Sequence, residues 1–327
     1  MPTNFTALSR KARTTEPSLP RRRLRDALAG RAFSWIAFLP LVIAVAMLVA
    51  LLARSRPILE SKSLWDLLAG QTWKPQQGEF GFYPFIIGTV WVTAVAMILA
   101  VPPCLLTAIY LAEYARPAVR TVTKPLFDLL AAIPSVVYGV WGVVVIVPWV
   151  EDFIAPTFGR WLGGSIPLFA VNNPTGFSIL AGGIVLAVMV APFIIAVTYE
   201  VMSTIPEGMR EASLAVGATR WQTIKYAVLP RARAGIIAGV VLGSSRALGE
   251  TMAVLMVVGN VVKVPTSIFD PAYPLPALIA NNYGEMLSIP LYDAALLGAA
   301  LILLLIVLVF NIIATLVLRT VIRGSQR

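Results

Sequence analysis

The sequence predicts an all-α polytopic membrane protein with six transmembrane helices and both termini in the cytoplasm. Three observations carry that class. Of the 327 residues, 58% are hydrophobic and 13% charged, whereas soluble domains are about 25% charged. Apolar runs of about 20 residues, enough to cross a bilayer, lie at 33–53, 85–112, 126–150, 178–200, 235–260 and 294–318. The 26 basic residues are unevenly placed: 19 fall in the N-terminal tail, the connectors after the second and fourth runs and the C-terminus, six fall on the opposite side, and Arg246 lies inside the fifth run. Positive charge marks the cytoplasmic face, so both termini and the connector 204–230 are inside.

Four segments follow in order. Residues 1–31 form a basic cytoplasmic tail, low in apolar content and expected to be poorly ordered. Residues 32–83 hold the first span and an external loop; its exit, Ala53-Arg54-Ser55, is a poor cleavage site, so the span stays attached. Residues 84–318 carry the other five spans, and 319–327 are a cytoplasmic C-terminal tail. Pro102-Pro103, Pro134, Pro148 and Pro192 are expected to kink their helices within the bundle. The net charge of +10 is spread over membrane-flanking segments, which fits topology and anionic membrane lipid and gives no reason to invoke nucleic acid.

Connector 204–230 reads as two short helices. Thr204-x-x-Glu207 opens the first as a capping box and Gly217 stops it; Thr219-x-x-Gln222 opens the second and Pro230 closes it. Ala212, Leu214, Ala215, Val216, Trp221 and Ile224 then lie outside the bilayer and need an apolar surface, supplied by a partner protein or by the lipid interface. Interfacial anchoring gives no reason for the spacing of the glycine and the Leu229-Pro230 pair.

The fifth run is the second informative stretch. At about 100° per residue, Gly235, Gly239, Gly243, Arg246, Glu250, Ala253, Val257 and Asn260 share one face of a continuous helix. Glycines four apart admit a neighbouring helix. An arginine inside a membrane requires a partner; Glu250 is the intrachain candidate, and the pair reads either as a packing device or as part of an anion path.

Several chemistries are absent. The chain has no histidine and one cysteine, Cys104, so it builds no intrachain disulfide, Cys/His metal site or histidine relay. No catalytic residue, metal site or cofactor is expected. It also lacks a phosphate-binding G-x-x-x-x-G-K-[ST] loop, so ATP hydrolysis must come from another subunit. Asp128, Glu113 and Glu200 read as solvated helix ends, and Asn172-Asn173-Pro174-Thr-Gly176 and Asn281-Asn282-Tyr-Gly284 as external turns. An ion-coupled secondary transporter would need a titratable relay, and a membrane enzyme a nucleophile or metal cluster; neither is visible.

Glu211, Ala212, Gly217, Leu229 and Pro230 resemble the EAA loop of ABC importer permeases, with Ser213 and Ala227 departing from that pattern. Ser245-Arg246-Ala-Leu-Gly-Glu250-Thr-Met-Ala-Val with Val258-Gly259-Asn260, and Ile133-Pro134-Ser135-Val-Val-Tyr138-Gly139, resemble the phosphate permease family of PstC type from about residue 84 to 318. The resemblance implies a type I ABC importer permease fold and alternating access. It also implies a sister permease of PstA type, cytoplasmic ATPase subunits docking on the loop and an external phosphate-binding protein. Arg246 would attract the anion and Glu250 would compensate it in the empty path. Sulfate, molybdate and phosphonate are the alternative substrates.

Overall fold

The computed structural model describes residues 19–164, 166–173, 175–284, 289 and 291–325. Among them six helices are long and apolar enough to cross a bilayer: Asp26–Ser61, Tyr83–Tyr114, Ser135–Trp161, Ile179–Ser203, Arg220–Leu248 and Tyr292–Ile322. The chain divides into two compact units, Met1–Ala50 and Leu51–Arg327. In the first, the described part is a single helix, the start of α1 (Leu19–Ser61), exposed from Asp26 to Ala50 except at half-buried Leu48. The expected disorder of the tail therefore does not extend to residues 19–31, which are helical; Arg10, Lys11 and Arg13 lie outside the described residues.

In the second unit, α2 (Leu64–Ala69) and a two-stranded hairpin, β1 (Trp73–Lys74) and β2 (Glu79–Phe80), follow the end of α1. Trp73 packs edge-on against Phe80 and Phe85, with centroids 5.4 and 5.2 Å away, over a cluster that includes Ile58, Leu278 and Leu296. Next come α3 (Tyr83–Tyr114), α4 (Pro117–Ala132), α5 (Ser135–Trp161) and α6 (Ile179–Ser203). The third span thus begins at Ser135, not 126. Ile133 and Pro134 are both extended, as a residue preceding proline prefers, and they cut off α4, which carries Asp128, as a separate amphipathic helix. The Tyr138 hydroxyl donates back to Leu130 O across that break, at 2.8 Å.

The last elements are α7 (Glu207–Ala215), α8 (Arg220–Leu248), α9 (Met252–Val257), α10 (Leu275–Asn282) and α11 (Tyr292–Ser325). The main core lies between α3 and α6, where Val92, Val95 and Ala96 meet Ile179, Val185 and Val190. The sequence places a stop at Pro230, but α8 runs through it. A proline breaks an α-helix because its ring meets the carbonyl four residues back. Here the preceding turn, Ile224–Val228, is a π-helical turn in which Leu229 N–H bonds Ile224 O, and its wider bonding relieves that contact.

Candidate functional site

The connector folds as a helix-turn-helix whose details differ from the sequence reading at one end and match it at the other. Thr204 does not cap α7: it ends α6, its hydroxyl donates to Val201 O at 2.8 Å, and Pro206 takes the cap position. Pro206 stiffens the entry and leaves Glu207 in the first turn. At the other end, Gly217 has φ +86°, a left-handed conformation that favours glycine, and its N–H donates to Leu214 O at 2.9 Å. The Thr219/Gln222 capping box is formed, with Gln222 N–H donating to Thr219 Oγ1 at 3.3 Å and Thr219 N–H to Gln222 Oε1 at 2.8 Å.

Val216, Trp221 and Leu214 are exposed apolar side chains on this connector, at 85%, 52% and 44%. Glu211, Ala212 and Ala215 are exposed with them, whereas Ile224 is buried and leaves the set, because it packs into the protein's own core. Leu229 is half-buried beside Met202 and Val228, and Pro230 is exposed. Ser213, a departure from the family pattern, is 3.0 Å from the Thr223 hydroxyl, so a hydroxyl pair ties α7 to the first turn of α8.

The fifth crossing is the main correction. The one-face reading of Gly235 through Asn260 requires a continuous helix, but α8 ends at Leu248. Gly249 N–H returns to Arg246 O and Glu250 N–H to Ala247 O, both at 3.3 Å, and the chain restarts as α9 at Met252. Gly235, Gly239 and Gly243 face α6; a Cβ at Gly243 would lie 2.7 Å from Ile194 and one at Gly239 3.1 Å from Val197. The stripe is thus filled by α6 and leaves no groove. Beyond the break, Val257 O accepts from Ser178 N–H at 3.3 Å, and Val258 O from Ala272 N–H at 3.1 Å. These bonds put the end of α9 level with the external start of α6, so α8 and α9 together complete the crossing.

Arg246 and Glu250 separate at this break. Arg246 is exposed, with its guanidinium carbon 4.2 Å from the centroid of the Phe193 ring, near the middle of the 25-residue α6. Glu250 is half-buried and its carboxylate accepts from Ala253 N–H at 3.2 Å, capping α9. No salt bridge joins the two among the described residues. Ala253 and Val257 are buried, and Asn260, at φ +51°, donates to Leu255 O at 2.8 Å. The arrangement is a cationic side chain at mid-depth, opposite the mouth of an interrupted helix.

Two polar clusters were not legible in the sequence. Glu113, read as a solvated helix end, has a side chain only 9% exposed and is bonded to Arg210. Externally, buried Asp270 accepts from the amides of Thr266 and Ser267, the Thr266 hydroxyl and Asn172 Nδ2, at 2.9 to 3.3 Å. Burial pushes its carboxyl up, but these hydrogen bonds outweigh burial and hold it below the usual carboxylate range. Asn281 and Asn282 end α10 and both donate to the Tyr273 hydroxyl; they are not in the turn, which begins after them and has Gly284 at φ +88°. Pro174 lies outside the described residues.

Six crossings, an exposed cytoplasmic helix-turn-helix and an interrupted helix bearing a mid-depth charge define a membrane transport component. The binding-protein-dependent transport system inner membrane component family matches residues 104–323, and the chain belongs to it. It is therefore a multi-pass inner-membrane permease subunit. Over 305 residues, 91% of this chain and 93% of the relative, it is 36% identical to the phosphate transport system permease protein PstC of Xylella fastidiosa (strain Temecula1). The protein of that name from Mesorhizobium japonicum is 35% identical over 303 residues, 91% of each chain. The type I ABC importer permease fold also occurs in the crystal structure of a bacterial ABC transporter involved in the import of the acidic polysaccharide alginate, with TM-score 0.57 and 18% identity over 92% of this chain and 96% of that one.

Proposed function

We propose that the chain is a permease subunit of an ATP-driven importer of inorganic phosphate. The observation that carries this reading is the near full-length similarity to relatives named as phosphate permeases. It pairs with a sister permease of PstA type, receives phosphate from an external binding protein and is driven by separate cytoplasmic ATPase subunits that hydrolyse the ATP. The apolar surface around Gly217, with Val216 and Trp221, is where an ATPase docks. Arg246 offers a planar donor fork to a tetrahedral oxyanion at mid-depth. Glu250 caps α9 in the present conformation and repels anions from that helix start until the path rearranges. Binding along such a path must be weak enough for release, so discrimination among anions rests mainly with the binding protein.

The test is ATP hydrolysis by the complete complex reconstituted with its binding protein. Phosphate is expected to stimulate hydrolysis, and sulfate, molybdate and phosphonate are not. Stimulation by one of those anions in place of phosphate would reassign the substrate, and an ATPase that does not associate would remove the importer reading altogether.

A further inference from the structure

Arg210, in the middle of α7, is held by more bonds than any sequence feature announced. Its Nη2 donates to Glu113 Oε1 at 2.7 Å and to Met202 O at 2.9 Å, its Nε lies 3.2 and 3.1 Å from the two Glu113 oxygens, and its Nη1 donates to Ile205 O at 2.6 Å. Both side chains are largely enclosed, 19% exposed for Arg210 and 9% for Glu113. Three elements meet on one guanidinium. Glu113 belongs to the last turn of α3, the π-helical turn Tyr110–Tyr114; Met202 lies in the last turn of α6, and Ile205 lies just beyond that helix's end. The terminal carbonyls of a helix lack intrahelical partners and sit at the negative end of its dipole, so a cation there is doubly favoured. Beneath the pair, Ala112, Met202, Ile205, Val228 and Ala232 form a buried apolar cluster that partly buried Met209 joins.

This geometry differs from the exposed ion pairs of the same face. Lys124 and Glu200 sit 3.9 Å apart with side chains 64% and 70% exposed, a distance and exposure at which an ion pair constrains little. The Arg210 contact is bidentate, enclosed and shared with backbone acceptors, so separating its partners leaves charges without partners in an apolar site.

We infer that Arg210 is a positioning residue for energy coupling: with Glu113 it binds α7 and the cytoplasmic ends of α3 and α6 into one body, so that displacement of the connector moves both membrane helices. The inference rests on the proposal that an ATPase docks on this connector, but the tie itself is independent of the ATPase. Leu214, Val216 and Trp221 face outward from the connector while Arg210 faces the bundle, so the surface that is pushed and the side chain that transmits are distinct. Glu113 and Arg210 are 97 residues apart, so no local spacing in the sequence links them.

Two measurements on Glu113→Gln and Arg210→Lys test it. The first is amide hydrogen exchange of the solubilised permease without ATPase. Both variants should raise exchange together in 110–114 and 207–215, by about tenfold or more, since one partner of an enclosed charge pair is lost or misplaced. Unchanged exchange in both segments of both variants overturns the inference, whatever the ATPase does. The second is phosphate uptake per ATP hydrolysed by the reconstituted complex, counted per assembled ATPase. The expected result is normal ATPase association with uptake per ATP reduced about tenfold. A merely structural role would lower the yield of complex and leave uptake per ATP unchanged, and that outcome overturns the coupling role. If the wild-type permease holds no ATPase, the docking proposal fails, while the exchange measurement still decides whether the tie exists.

Discussion

The guanidinium of Arg246 stands over the ring of Phe193, 4.2 Å from its centroid, and not beside the carboxylate of Glu250. The difference follows from the end of α8 at Leu248. Gly249 ends α8 immediately after the turn that carries Arg246, so the residue four positions on lies in the break between α8 and α9. A cation over an aromatic face is attracted by the ring quadrupole, worth about 0.5–2 kcal/mol depending on solvation, and keeps its donors free at the ring edge.

Arg246→Gln is expected to lower phosphate uptake by about tenfold or more, the factor that ~1.4 kcal/mol represents, while the complex assembles normally. Uptake by proteoliposomes, normalised to assembled complex, measures it. Near wild-type uptake in a well-assembled variant would remove Arg246 from the path.

The separation of Arg246 from Glu250 predicts additivity. If they formed one buried pair, removing either alone would destabilise assembly and the double variant would recover. Because they are apart, Arg246→Gln and Glu250→Gln should combine within about 0.5 kcal/mol. Glu250→Ala, which removes the acceptor for Ala253 N–H, should cost about 1 kcal/mol. Thermal unfolding of the four proteins in detergent gives the coupling energy; a value well above that limit would restore the ion pair.

Gly217→Val should leave the protein in the membrane but weaken ATPase association and uptake together. A Cβ at Gly217 meets nothing within 4 Å, so the cost is purely conformational: φ +86° is unfavourable for a β-branched residue, by about 1–3 kcal/mol. Co-purification of the ATPase, with uptake measured in parallel, tests it. Wild-type values for both would separate the connector from coupling.

Asp270 predicts an acid-sensitive external surface. Its folded carboxyl is held low, so its stabilising contribution is complete above the ordinary carboxylate value near 3.9 and is lost as pH falls through the lower folded value. Exchange of the amides of Thr266 and Ser267, corrected for intrinsic rate, should therefore rise only below about pH 4. Asp270→Asn should cost about 1–3 kcal/mol at neutral pH, by weakening a buried acceptor, and abolish the acid step. An acid step that persists in Asp270→Asn would assign it to another group.

Hydropathy and charge determined six crossings, their orientation and the cytoplasmic position of the connector, because burial in lipid is decided by composition over about 20 residues. Local chemistry determined the turn at Gly217 and the Thr219/Gln222 cap, since both depend only on near neighbours. Other features depended on contacts the sequence does not display. Whether Pro230 ends a helix was decided by a π-helical turn just before it, and whether Arg246 meets Glu250 by a break at Gly249 that α6 and the external end of the bundle stabilise from outside. Periodicity presumes a continuous helix, so it placed the two charges on one face. The enclosure of Glu113 by Arg210 and of Asp270 by Asn172 joins residues about a hundred positions apart, and the solvation of a carboxylate is a property of what folds over it.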